Sequence, residues 1–246
     1  MLHLCSGDMG RKAWLAAGLP GEALIWRDSP AVGPWSPDPE RRAGLRADYR
    51  GLPDRAAFRE EEATLRAVLE AGAAVLWFSA EPWDQLAQLW VVARLIREDP
   101  AVHLELVRLR EGGERVPPAM LQQAFALRSP LAPEERAVAL RLWDRYEAED
   151  WLALWKWLHR GRGLGSMPDL ARALARVLED RPPHVPGRTE RQVRDLQAAG
   201  VRTLAGMMEA LAALESPYGL PWYGDLVVRR LMEARNCALP SAPGSG

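Results

Sequence analysis

The chain has 246 residues, 48% of them hydrophobic, which is enough to build a core without disulfide or metal staples. Its 32 basic and 33 acidic residues leave a formal charge of −1, so no global field draws it onto nucleic acid or an anionic membrane, although a local basic patch stays open. Cys5 and Cys237, the only cysteines, stand at opposite ends with no CxxC or metal-ligand spacing, and both are expected to be reduced.

The amino terminus opens on the alternating run Leu2-His3-Leu4-Cys5 rather than on a basic segment and a long apolar stretch, which argues against secretion. The most apolar stretch, Trp83 to Ile96, carries Asp84, Gln85, Gln88 and Arg94, so no membrane helix is expected and the default location is the cytoplasm. Strand-like and helix-like segments then alternate. Leu2 to Ser6 reads as a strand and Met9 to Ala17 as a helix closed by Gly18 and Pro20; Ala23 to Arg27 is the second strand. A proline-rich loop from Ser29 to Pro39 leads to helices over Glu40 to Arg50 and Arg55 to Ala71. Ala73 to Phe78 is the third strand, Trp83 to Arg97 a helix, and Val102 to Leu109 the fourth strand. This alternation predicts an α/β half, residues 1–116, built on a mostly parallel sheet of about four strands with helices on its faces.

From Pro117 the strand signal stops, and an all-α half, residues 117–239, is predicted. Its helices are Pro118 to Leu127, Pro133 to Glu147, Trp151 to His159, Pro168 to Leu178, Glu190 to Ala199, Leu204 to Leu214 and Leu226 to Arg235. Leu170, Leu174, Val177 and Leu178 form one inward apolar face. Thr189 followed by Gln192 fits a capping box. Residues 240–246 are rich in proline, glycine and serine and read as a disordered tail.

Ligands of open parallel sheets bind beyond the carboxyl ends of the strands, so the residues following each strand are the candidates. They are Ser6, Gly7 and Asp8, then Asp28 and the run from Ser29 to Pro34 with Gly33, then Ser79 followed by Trp83, Asp84 and Gln85. If the carboxylates Asp8, Asp28 and Asp84 converge, they can hold a divalent metal, accept a proton or bind ribose hydroxyls. Each also has a local reading: Asp8 and Asp84 suit helix starts, and Asp28 ends a buried strand where it needs a partner. Arg42 and Arg46, four apart on a helix, offer either anion ligands for the rim or an exposed basic face. His3 and His103 lie in strands and His159 and His184 among helices, with no ligand pattern. There is no HExxH, G-x-S-x-G, phosphate-loop or G-x-G-x-x-G motif. Trp143, Trp151, Trp155 and Trp157 cluster in the helical half and read as core or interface. The last three helices have lengths that suit a helix-turn-helix, with Arg229, Arg230 and Arg235 as phosphate contacts.

The runs His3-Leu4-Cys5-Ser6-Gly7-Asp8, Ile25-Trp26-Arg27-Asp28 with Gly33-Pro34, Leu76-Trp77-Phe78 and Trp83-Asp84-Gln85-Leu86 together resemble the bacterial family catalogued as domain of unknown function 1835. Arg188-Thr189-Glu190-Arg191-Gln192 and Tyr223-Gly224-Asp225 resemble the helical region that commonly follows in such proteins. The resemblance implies a bacterial protein but no reaction, since that family has none established. Between Phe78 and Asp84 its members tend to carry a glutamate, a histidine and an aspartate, where this chain has Ser79, Ala80 and Glu81, so a histidine-dependent activity is not expected here. The residues predict a nucleotide or other phosphorylated small molecule bound at the α/β rim, with hydrolase or transferase chemistry. The alternative is a regulatory or interaction protein whose helical half contacts nucleic acid or a protein partner.

Overall fold

The computed structural model describes residues 1–51, 56–110, 112, 115–160, 167–181, 185–215 and 224–234. β1 (Leu2–Ser6), α1 (Gly7–Ala16), β2 (Glu22–Trp26), α2 (Pro39–Arg50), α3 (Ala56–Ala71), β3 (Ala73–Ser79), α4 (Pro82–Glu98) and β4 (His103–Leu109) alternate as the residue pattern predicts. A short β5 (Ser129–Pro130) follows α5 (Pro118–Ala126). The sheet has the order β2-β1-β3-β4-β5, parallel except for β5. The register sets Leu4 beside Leu24 and Leu76, and Leu76 beside Leu106, so like side chains stack across the strands.

β5 corrects the expectation that no strand follows Pro117. Two residues, one of them proline, are too few to carry an alternating pattern. They pair because Leu131 N–H donates to Leu104 O at 2.9 Å and Arg128 forms an ion pair with Glu105 at 2.8 Å.

The two-residue period of the strands separates the faces. Cys5, Val75, Trp77 and Val107 face Trp14 of α1, the capping Ala17 that follows it, and Leu121 of α5. α3 and α4 cover the opposite face. α4 is buried nearly all round, with Leu86, Leu89, Trp90, Val91 and Val92 inaccessible, because α6 (Pro133–Glu147) and α8 (Leu170–Leu178) pack on its outer side. Trp26, Trp35, Trp90 and Trp143 make a chain of ring contacts at 4.6–6.4 Å. Trp143 is therefore core, as its helical spacing suggests. Tyr146 ties α6 to the loop after β2 by donating to Pro30 O at 2.7 Å. The predicted apolar face of α8 is buried at Leu170, Leu174, Val177 and Leu178.

The parallel strands end with β4 at Leu109, but the division into compact units falls between Leu178 and Glu179. The helices α5 to α8, α7 being Trp151–His159, belong with the sheet, because α6 and α8 bury their apolar stripes on α4. In the second unit α9 (Arg188–Ala198), α10 (Leu204–Glu215) and α11 (Asp225–Glu233) pack on one another around Val193, Met207, Leu211 and Val228. The capping box expected at Thr189 and Gln192 does not form. Instead α9 starts after Gly187, and Asp180 accepts from Thr189 N–H at 2.7 Å and from Thr189 Oγ1–H at 3.0 Å. A carboxylate brought from outside the helix does the capping, with its charge at the positive end of the helix dipole.

Among the described residues no helix is long and apolar enough to cross a membrane. The expectations resting on His184, Tyr223, Arg235, Cys237 and the tail from Pro240 to Gly246 lie outside the described residues.

Candidate functional site

After β1 the chain adds β2 on one side, then returns to add β3 on the other, so the loops leaving β1 and β3 diverge and open a crevice between their carboxyl ends. A cavity of about 200 Å³ lies there, lined by Ser6, Gly10, Trp14, Trp77, Ser79, Glu81, Asp84, Leu109, Gly112 and Leu121.

Asp84 organises this crevice. Ser6 and Ser79 end neighbouring strands, and Asp84, in the first turn of α4, reaches back across both. Ser6 Oγ–H donates to its Oδ1 at 2.6 Å, and the Ser79 backbone N–H donates to its Oδ2 at 2.7 Å. Ser6 is also the residue preceding α1, yet its hydroxyl caps no α1 amide, having turned to Asp84 instead. Gly7, at φ +67°, makes the sharp entry from strand to helix that a residue with a Cβ resists. One turn on, Gly10 leaves the wall bare, and beyond it Trp14 is 5% exposed with an indole N–H that meets no acceptor among the described residues. Gln85 braces the end of β3 by donating from Nε2 to Ser79 O at 2.7 Å.

The other predicted rim residues are not brought to this cavity. Asp8 is exposed and makes a two-point ion pair with Arg27, at 3.0 and 2.8 Å; the hydrogen-bonded guanidinium holds its carboxyl below the usual aspartate range. It sits inside the first turn of α1 rather than at its cap, where its charge still suits the helix dipole. Asp28 is fully buried against Arg46, which also donates to Val32 O and, at 3.1 Å, to Ser29 O. Gly33, at φ +77°, lets the loop close over that pair: a Cβ there would lie 2.8 Å from Arg46 Nη1 and from Tyr49. Arg42 is buried too, paired with Glu62 and lying over the rings of Trp35 and Trp90. Both expectations for Arg42 and Arg46, rim anion ligands or an exposed basic face, are thus overturned, because each charge is used inside the protein.

Among the described residues no three histidine, cysteine, aspartate or glutamate side chains gather as a metal site, so Asp8, Asp28 and Asp84 do not converge as the metal reading requires. Cys5 is buried and free, and burial pushes its thiol up to about 12, far from a nucleophile's range. His3 accepts from Trp77 Nε1–H at Nδ1, 2.9 Å, and faces Pro20 O from Nε2 at 2.9 Å, a structural role for a strand histidine.

Ser6 and Ser79, which the sequence places among the small residues of the rim, do line the cavity; the lining residues missed from sequence include Gly10, Trp14 and Glu81. Gly10 and Trp14 follow Gly7 at helical spacing on the face of α1 turned to the sheet, a signal that was present but indistinguishable from packing. Compared with known proteins, the chain matches no family model, no curated protein and no solved structure.

Proposed function

We propose that the protein binds a polar small molecule in the crevice between β1 and β3, and that the ligand presents hydroxyl or amino groups to Asp84. The observation that supports this is a buried carboxylate, fixed by two donors, sharing one cavity with the unpartnered indole N–H of Trp14. Oriented polar groups around a concave, partly apolar space are what a specific ligand site requires. At about 200 Å³ the cavity is smaller than the roughly 300–1,000 Å³ of drug-sized sites, so it fits one ring or one polar end of a ligand.

The nucleotide or phosphorylated compound expected from sequence is retained in a narrower form. Its sugar hydroxyls would occupy the cavity, since Asp84 and Glu81 in the wall repel a phosphate and accept hydroxyls. Hydrolysis or group transfer remains the reaction class: Asp84 would take the proton from a bound hydroxyl or water as its oxygen bonds to the ligand's electrophilic centre, while the bond from that centre to the leaving group breaks and the leaving group takes up a proton from solvent. The departure from domain of unknown function 1835 falls on Ser79 and Glu81, both in the cavity wall, so we assign this chain ligand contacts of its own.

A thermal-shift screen of nucleosides, nucleoside monophosphates and monosaccharides, followed by titration calorimetry, tests the reading. A ligand found this way should lose its affinity in Asp84→Asn and in Gly10→Leu, which fills the cavity from a regular helical position where a Cβ meets only Cys5, at 3.7 Å. A ligand unaffected by both substitutions binds elsewhere, and a panel with no ligand at all overturns the class proposed.

A further inference from the structure

Away from the sheet, α6 and α7 enclose a groove of about 800 Å³ that shares no lining residue with the crevice. Helical spacing builds it. Val138, Arg141, Leu142 and Arg145 follow the i, i+3, i+4, i+7 pattern on α6, and Ala153, Lys156, Trp157 and Arg160 repeat it on α7 and its cap. Each helix thus turns two cations and an apolar stripe toward the same space.

The charge balance is one-sided. Among the described residues Asp144 is the only carboxylate in the lining, and it is engaged by Arg97. Arg145 is paired with Asp150 at 3.0 Å, whereas Arg141, Lys156 and Arg160 form no ion pair with any described residue. Like charges four apart on a helix repel, and here two such pairs face one groove in a chain whose formal charge is −1. A cleft lined by one sign concentrates field and draws in the opposite ion. The floor is apolar, formed by the buried Leu142 and Leu154, and half-buried Trp157 stands among the cations.

We propose that this groove binds a multiply phosphorylated small molecule carrying a flat ring, of the nucleoside triphosphate class, with phosphates on Arg141, Lys156 and Arg160 and the ring on Trp157. Three cations with no ion pair among the described residues suit a polyphosphate. The volume lies within the range of small-molecule sites, about 300–1,000 Å³. A nucleic-acid strand is the less fitting occupant, because strand binding uses successive aromatic platforms and this groove has a single aromatic among its described lining residues.

Calorimetric titration of the full chain with ATP, inorganic triphosphate, adenosine and a short oligothymidylate, at low salt and without divalent cations, tests the assignment. ATP should bind more tightly than triphosphate, and adenosine should add no heat that depends on the groove. The double substitution Lys156→Gln with Arg160→Gln, on exposed positions, should weaken ATP by about tenfold or more. Trp157→Leu should bring ATP down to the affinity of triphosphate. The proposal is overturned if ATP does not bind, if the double variant binds it as well as the parent, if triphosphate equals ATP in the parent, or if oligothymidylate binds more tightly and displaces it.

Discussion

Asp28 is the rim carboxylate that sequence singles out most strongly, and it belongs to the framework. Its pairing with Arg46 is wholly enclosed, with Gly33 folded over it. Removing the negative partner of a buried pair strands the positive one, which costs on the order of 3–5 kcal/mol. Asp28→Asn should therefore lower the urea midpoint sharply, and adding Arg46→Met should recover part of the loss by removing the stranded charge. A single variant as stable as the parent would show the pair to be unimportant. That a carboxylate closing a buried strand needs a partner was legible from sequence; the partner's identity was not, because Arg46 lies eighteen residues on, beyond a proline-rich loop, and nothing local marks it as inward-facing.

His3 supplies the pH dependence. Burial is the main cause that lowers its pKa from the ordinary 6.5, and its Nδ1 already accepts from Trp77, so protonation there would set two donors face to face. The unfolded chain takes up the proton as pH falls through about 6.5, while the folded chain does so only at lower pH. The contribution is thus full above pH 6.5 and is lost progressively below it, down through the folded pKa. Urea titrations from pH 7.5 to 5 should show this decline, and His3→Gln should flatten it; equal slopes in the two proteins would remove His3 as the cause.

At the scale of elements, β3 and α4 carry the densest burial. β3 lies between β1 and β4, and α4 is enclosed by the sheet on one side and by α6 and α8 on the other. Local opening requires exposing buried surface, so amides in β3 and α4 should be the slowest to exchange in a hydrogen-exchange measurement, slower than those of α1 or α11. Faster exchange in β3 than in the edge strand β2 would contradict this packing. These elements were legible because their signals are local: short apolar runs bounded by glycine for the strands, and proline in the first turn at Pro39, Pro82, Pro118 and Pro133 for the helices. The start of α9 was misread because its cap comes from Asp180, outside the window in which a capping motif is recognised. The crevice was half legible: Ser6, Ser79, Asp84 and Gln85 follow their strands in the sequence, whereas the bonding of Ser6 and Ser79 to Asp84 became visible only once β1 and β3 were neighbours.

For the whole molecule, composition marks where the parallel strands end but not where the compact body ends. The helices before and after Leu178 look alike in sequence; what separates them is that α6 and α8 are spent on covering α4, while α9, α10 and α11 bury their apolar residues on one another. The same body keeps the crevice and the α6–α7 groove on separate walls, with no residue in common.

The brief antiparallel strand β5 has an effect out of proportion to its length. An open parallel sheet invites a strand from another molecule to extend it, and β4 would be the exposed border. β5 occupies the positions opposite Glu105 and Leu106, and exposed Pro130 has no amide hydrogen with which to continue the ladder. Two residues thereby cover the middle of this border, where a strand from another molecule would otherwise pair.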